Sequence, residues 1–321
     1  MDDETVSMSE NLSLADRDAW LERIDDIGEE RGYFQPLGPK HSAIFTDESP
    51  TLLVTFETIE SIAKTSPDAQ PLGFHLVEGT DWSQLCILAH EETWFRDRYV
   101  YGYFDRLVDD GFFEDFDRVI FYGAGACGYA AAAFSVAAPG ATVISLQPQA
   151  TLDPQVTAWD TRFKAQRRLS FTDRYGYAPD MVEGAGKVFV MHDPAQPFDA
   201  MHAALFTRPH VQQIRCRHMG PDVQESLQAM EILTPMIRAA AKGDFSADSI
   251  HRLLRARRAH GPYLEKLTEA ARRGDKPLMT AYAAEAMKEA TGSVDAVRKH
   301  YRWARNVLAA SGRSLEQPEE A

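Results

Sequence analysis

A run of glycines between an apolar strand and a small-residue helix carries most of the chemical information in this chain. Gly123, Gly125 and Gly128 stand in GAGACG, after the strand-like RVIFY of Arg118–Tyr122 and before the alanine-rich stretch Tyr129–Ala138. Glycines at that spacing bring backbone and helix N-terminus up to a pyrophosphate, so a dinucleotide site for NAD(P) or FAD is one reading of the turn. The acidic residue that would hold the ribose is missing: the next strand ends at Ser145, Leu146 and Gln147, and Asp153 lies beyond Pro148. Cys127 offers a different chemistry. A thiol in the first turn of a helix sits where backbone amides and the dipole favour thiolate. It would attack an ester or thioester, with His218 as base and Asp199 orienting that base. The plainer alternative for Cys127 is a small buried thiol where helix meets sheet.

The other chemically capable residues point less clearly. His192 beside Asp193 has no second ligand at helical or strand spacing, which argues against a metal site. His202 and His210 read as surface or cap residues. The aromatic run Trp94, Phe95, Tyr99, Tyr101, Tyr103 and Phe104 reads as the packed face of a helix rather than a pocket lining. Arg252, Arg255, Arg257 and Arg258 cluster in IHRLLRARRAH with no aromatic residue between them. Without stacking partners they suit a solvated or docking face better than a nucleic-acid site.

The elements that must position these groups follow from periodicity and punctuation. Short apolar runs predict strands at 42–45, 51–56, 84–88, 118–122, 142–146, 187–191 and 211–216, the opening three forming the antiparallel edge of a larger sheet. Helices are expected from Ser13, capped through Asp16, to about Glu30, and over 97–116, 129–138 and 199–205. Strand, glycine turn, helix and strand over 118–146 form a crossover unit, hence a parallel pair. Residues 148–186 are polar and punctuated, a connecting or lid region. After 222 the pattern is helical only, with segments at 222–242, 247–259, 263–273, 278–290 and 294–310, N-caps at Ser246 and Ser293, and stops at Gly243, Gly274 and Gly292.

The chain has 321 residues and a net charge of −14. Residues 1–220 carry 18 Lys and Arg against 34 Asp and Glu, whereas 221–321 carry 16 against 14. Such an acidic body repels phosphate backbones and anionic lipid, which disfavours nucleic-acid and membrane partners. Hydrophobic residues at 44% and charged residues at 26% are those of a folded globular protein. Cys86, Cys127 and Cys216 are too few for a disulfide framework, so a cytoplasmic location is expected. The acidic Met1–Glu10 lacks the features of a secretory signal. The most apolar stretch, ending at Pro139, is too short to span a bilayer.

YGAGACGYAAAA, Tyr122–Ala133, resembles the YGxSMGGYAAL nucleophile elbow of α/β-hydrolase-like proteins, in which a strand ends in a sharp turn presenting the attacking residue. The resemblance extends to TLLVTFE (51–57), TWFRD (93–97), PQATLDP (148–154) and AWDTRF (158–163), and covers roughly 51–224. It implies an α/β-hydrolase-like, mainly parallel sheet flanked by helices over 13–222. A helical module over 223–312 would follow, with disordered tails at 1–12 and 313–321. The resemblance also implies that Gly125 occupies the nucleophile position, Cys127 replaces the last glycine of GxSxG, Asp193 or Asp199 is the acid, and Pro221 stands where the histidine belongs. On that alignment the elbow is degenerate, and a non-catalytic binding or scaffolding role follows, for a small-molecule or protein ligand, without a cofactor or metal. The C-terminal helices would serve self-association. Acyl chemistry at Cys127, and a nucleotide-dependent oxidoreductase at the three glycines, stay open as alternatives. A sulfonucleotide (phosphoadenosine phosphosulfate) reductase does not fit, because the chain has neither its Ser-Gly-Gly-x-Asp-Ser loop nor a late cysteine followed by histidine.

Overall fold

The computed structural model describes residues 17–48, 50–66, 68–292 and 294–314. The expected tail 1–12, the Ser13 and Asp16 caps, the Ser293 cap and residues 315–321 of the expected C-terminal tail lie outside the described residues. Eight strands form one sheet: β1 (Gly32–Leu37), β2 (His41–Thr46), β3 (Thr51–Thr58), β4 (Ser83–Ala89), β5 (Arg118–Ala124), β6 (Thr142–Leu146), β7 (Lys187–His192) and β8 (Val211–Arg215). Their order is β1-β2-β4-β3-β5-β6-β7-β8. β2 runs antiparallel to both of its neighbours, and every other pairing is parallel. With helices on both faces this is an α/β-hydrolase-like sheet, as expected.

The strand sequences explain the arrangement. β3, β5, β6 and β7 are apolar runs buried along nearly their whole length, which is what a parallel strand covered on both faces requires. β8, VQQIR, buries only Ile214 and closes the edge. Two expectations need correction here. β3 and β4 are interior strands paired parallel to each other rather than parts of an antiparallel edge, and β1, with Pro36 in a mixed sequence, gave no alternating pattern from which to find it.

The helices of the same unit are α1 (Arg17–Arg31), α2 (Ile59–Thr65), α3 (Leu72–Val77), α4 (Arg98–Asp109), α5 (Ala126–Phe134), α6 (Pro154–Thr157), α7 (Ala178–Met181) and α8 (Pro197–Ala204). Alternation along the strands sends Leu85 and Ile87 of β4 to one face and Cys86 and Leu88 to the other. The first face carries the large aromatic core with Phe56, Phe104, Phe121 and Phe134. The second is covered by Trp20, Ile24, Ile27, Ile62 and Phe74. The expected helix 97–116 ends at Asp109, because Gly111 turns to φ 69° before a short 3-10 turn. Its aromatics mostly pack inward, as read: Phe104 lies 4.6 Å from Phe134 between ring centres, and only Tyr99 is exposed. Residues 148–186 hold α6, α7 and several 3-10 turns, and they send Phe171, Tyr175 and Ala178 into the main core. Arg96 fastens this segment by donating to the Ser170 and Arg174 carbonyls, the Tyr129 hydroxyl and the Asp173 carboxylate.

The chain divides into two compact units. One runs through Arg215 and includes Ile237–Phe245; the other comprises Cys216–Met236 and the chain from Ser246 onward. The returning segment is held by cations at its carbonyls: Arg118 donates to Ala241, and Lys187 Nζ donates to Gly243 and Phe245 at 3.1 and 3.3 Å. Positive side chains suit a helix C-terminus for this reason. Phe245 also packs edge-on against Phe189 at 4.6 Å.

After β8 come α9 (Val223–Ala229), α10 (Leu233–Ala241), α11 (Ala247–Leu253), α12 (Gly261–Arg273), α13 (Pro277–Thr291) and α14 (Val294–Ala310). The single helix expected at 222–242 is two, broken where Glu231 takes φ 57°. Ser246 is an N-cap as read, in a capping box with Ser249. In the second unit α12, α13 and α14 share a core of Tyr263, Leu264, Ala284, Met287 and Val297. Among the described residues no helix is long and apolar enough to cross a membrane.

Candidate functional site

The carboxyl ends of β5, β6 and β7 meet at the glycine turn. β5 ends at Ala124, Gly125 takes φ 59° and ψ −123°, and α5 begins at once with Ala126. The Gly125 N–H donates to the Leu146 carbonyl at 2.8 Å, and the Gly125 carbonyl accepts from Tyr129 N–H at 2.9 Å. This is a sharp strand-to-helix turn with a positive-φ glycine at its apex. A Cβ at Gly125 would meet nothing within 4 Å. The apex is therefore open, and it carries no side chain.

The other two glycines have a packing cause. A Cβ on Gly123 would lie 2.2 Å from the Cys127 carbonyl oxygen, and one on Gly128 would lie 2.8 Å from that of Leu146 and 2.9 Å from Ser145 Oγ. Ser145 Oγ donates to the Gly128 carbonyl at 2.7 Å, tying helix to neighbouring strand. Gly123 and Gly128 thus let α5 lie against β5 and β6.

Cys127 is 7% exposed and belongs to the apolar core. Burial pushes its thiol well above the usual range, and the nearby Glu57 carboxylate pushes the same way. The weak favourable effect of the helix N-terminus does not overcome these. Glu57 is itself buried at the end of β3, where it accepts from Leu72 N–H at 2.6 Å, Gly73 N–H at 2.9 Å and the Thr55 hydroxyl at 3.1 Å.

Asp199, on the first turn of α8, is held by two donors. Arg162 Nη1 donates to Oδ1 at 2.7 Å and Gln147 Nε2 to Oδ2 at 3.0 Å. The same guanidinium turns its Nε and Nη2 onto Asp160, at 2.8 to 3.1 Å. Asp160 also faces His202, whose Nε2 lies 3.0 Å from Oδ2. Because His202 Nδ1 accepts from Ala150 N–H at 3.1 Å, the ring proton sits on Nε2 and points at Asp160. Burial pulls the His202 pKa down against the pull of Asp160, so the ring stays neutral. Burial alone would raise Asp160, but hydrogen bonds from Arg162 and His202 bring it below the usual carboxylate range. Trp159 lies over His202 at 4.6 Å, and Arg162, a third of whose side chain faces solvent, lies over Phe163 and Phe198.

His202 is thus fully buried, which corrects its reading as a surface or cap residue. The structure brings Asp199 together with Arg162, Asp160, Gln147 and His202, in a network already satisfied by hydrogen bonds. His218 lies in the other unit at φ 65°, its ring edge-on to Tyr263 at 6.0 Å. Asp193 caps the turn after β7 by accepting from Ala195 N–H at 2.9 Å. Arg162, Asp160 and Gln147 were not singled out by sequence; the three-residue spacing of Asp199 and His202 on α8 was the available signal.

Two buried polar atoms at these strand ends have no partner, His192 Nδ1 and Gln149 Oε1. His192 is 3% exposed, and burial lowers its pKa despite Asp199 nearby. Gln149 Nε2 donates to the Gln147 carbonyl at 3.2 Å, and Gln147 N–H to the Met191 carbonyl at 2.7 Å, which ties the chain after β6 to the end of β7. Among the described residues no three His, Cys, Asp or Glu side chains converge closely enough to hold a metal ion.

No family model and no curated protein matches the sequence. Solved structures of similar fold include the capsule O-acetyltransferase of Neisseria meningitidis serogroup A, at TM-score 0.41 and 10% identity over 62% of this chain and 91% of that one. A glycosylation-associated protein complex from Streptococcus agalactiae matches at TM-score 0.42 and 16% identity, over 64% of this chain and 45% of that one. A Pyrobaculum calidifontis esterase matches at TM-score 0.41 and 13% identity, over 64% and 82%.

Proposed function

We propose that this α/β-hydrolase-like chain is a binding or scaffolding protein, which takes a small-molecule or protein ligand at the carboxyl end of its sheet and does not cleave it. The observation that carries this reading is Gly125: the strand-to-helix turn is sharp and open at its apex, and no side chain stands there to attack. Covalent acyl transfer needs a nucleophile within hydrogen-bond reach of a base. Cys127 is buried in apolar surroundings with its thiol held protonated, and Asp199 is engaged by Arg162 and Gln147 rather than by a histidine. Hydrogen-bonding capacity remains at His192 Nδ1 and Gln149 Oε1. Leaving such atoms unpaired costs about 1–3 kcal/mol each, which a polar ligand group would recover. The reading takes no cofactor or metal.

The test is intact-mass spectrometry and p-nitrophenol release with p-nitrophenyl acetate and butyrate and with acetyl-coenzyme A. Release at the rate of a heat-denatured control, and no acyl adduct, is expected. An adduct mapped to Cys127, with turnover lost in Cys127→Ser, would replace this reading with thiol acyl chemistry. Saturable NAD(H) or FAD binding abolished by Gly125→Ala would replace it with the dinucleotide reading.

A further inference from the structure

The second unit holds a groove that the proposed function does not use. It lies along α13 and α14, has a volume of about 460 Å³, and is lined by Glu285, Lys288, Val297, Arg298, Tyr301, Arg302 and Arg305. Arg298, Arg302 and Arg305 fall at i, i+4 and i+7, so one face of α14 presents three guanidinium groups in a row. Lys288 of α13 adds a fourth cation. The one acid in the lining, Glu285, stands 4.0 Å from Lys288. Among the described residues neither Arg302 nor Arg305 has an ion pair or hydrogen bond to a protein group, and both are exposed. Arg302 and Arg305, at i and i+3, repel each other, so that pair is unfavourable in the free protein and is relieved by a bound anion.

We propose that this groove binds a compact ligand carrying two or three consecutive phosphates. Guanidinium forks match phosphate oxygens two at a time, which suits Arg302 and Arg305 to adjacent phosphoryl groups. The volume falls in the range of small-molecule sites. The half-buried Tyr301 ring in the same lining offers a flat face to a base. A chain of net charge −14 repels an extended polyanion at long range, whereas a short one engaging four cations at once lies within about one screening length of them all.

The experiment uses the full chain, calorimetric titration with tripolyphosphate and with ATP, and sulfate at matched ionic strength as control. Expected are one site per chain for both ligands, a thermal upshift with each, and no saturation by sulfate. Arg302→Ala with Arg305→Ala should weaken both ligands at least about tenfold per arginine removed, the loss of a charge-assisted hydrogen bond. Since neither side chain is bound to the protein, that variant should melt no lower than the parent when ligand-free. Arg302→Lys with Arg305→Lys should bind between the parent and the alanine pair, since the charges return without the forks. If ATP binds more tightly than tripolyphosphate and Tyr301→Ala removes the difference, the ligand is a nucleotide; equal binding points to inorganic polyphosphate. Unchanged affinity in the double alanine variant overturns the proposal. So does the absence of saturable tripolyphosphate binding, or preferential binding of a single-stranded oligonucleotide with affinity rising with length.

Discussion

Replacing each glycine of the turn by alanine separates packing from conformation. At Gly123 the added Cβ lies 2.2 Å from the Cys127 carbonyl oxygen and 2.4 Å from its carbon, with the Gly128 nitrogen at 2.9 Å. All three are backbone atoms of α5, so the helix start must move by about an ångström, and overpacking of this kind costs about 3 kcal/mol. At Gly125 no atom lies within 4 Å, and the cost is only that of φ 59° for an L-residue, about 1–2 kcal/mol. Urea unfolding followed by tryptophan fluorescence reads mainly the first unit, which holds Trp20, Trp82, Trp94 and Trp159, whereas the second holds Trp303. Gly123→Ala should therefore lose about 1–2 kcal/mol more than Gly125→Ala. Equal losses, or a larger one at Gly125, would refute the assignment of Gly123 to close packing and of Gly125 to an open apex.

Other consequences can be checked in the same preparation. His41 is buried, with Nε2 2.6 Å from the Thr93 hydroxyl, and burial lowers its pKa to about 4, partly countered by Asp97. The unfolded chain takes up this proton below about pH 6.5. The folded chain resists until about pH 4, so stability is complete above the first value and falls as pH drops toward the second. The decline attributable to this group is about 3 kcal/mol, and His41→Gln should flatten the urea midpoint between pH 7 and 4.5 by a comparable amount; an identical slope would contradict it. Iodoacetamide should leave Cys86, Cys127 and Cys216 unlabelled in the native protein at pH 8 and label all three in urea, since all are buried; rapid native labelling of Cys127 would show that its thiol is not held in the interior. Asp160→Asn removes a carboxylate that both Arg162 and His202 use, and with Arg162 retaining Asp199 the loss should be about 2 kcal/mol in urea unfolding; unchanged stability would mean the network is incidental.

Most of the sheet was legible because its strands are short apolar runs bounded by turn residues, and the strand-to-helix turn at Gly125 because GAGACG falls between such a strand and a run of alanines. β1 was not, since GYFQPL joins the sheet at its edge through β2 alone, and edge pairing leaves little trace in burial. The place of β3 in the interior depends on a crossover that no local pattern encodes. The network around Asp199 was not legible, because Arg162 reaches it from 37 residues earlier and no spacing rule connects such a distance. His202 misled for a related reason. A histidine on a short amphipathic helix looks like a surface residue until its partner, 42 residues away, is in place.

The return of Ile237–Phe245 to the first unit means that the chain passes between the units three times, at Arg215, Met236 and Phe245. A fragment ending near 222, where the change in sequence pattern invites a cut, would lose the carbonyls that receive Arg118 and Lys187 and would uncover Phe189. Neither unit can therefore be excised, swapped or duplicated by a single cut. A fragment that keeps the first unit whole must therefore extend through Phe245.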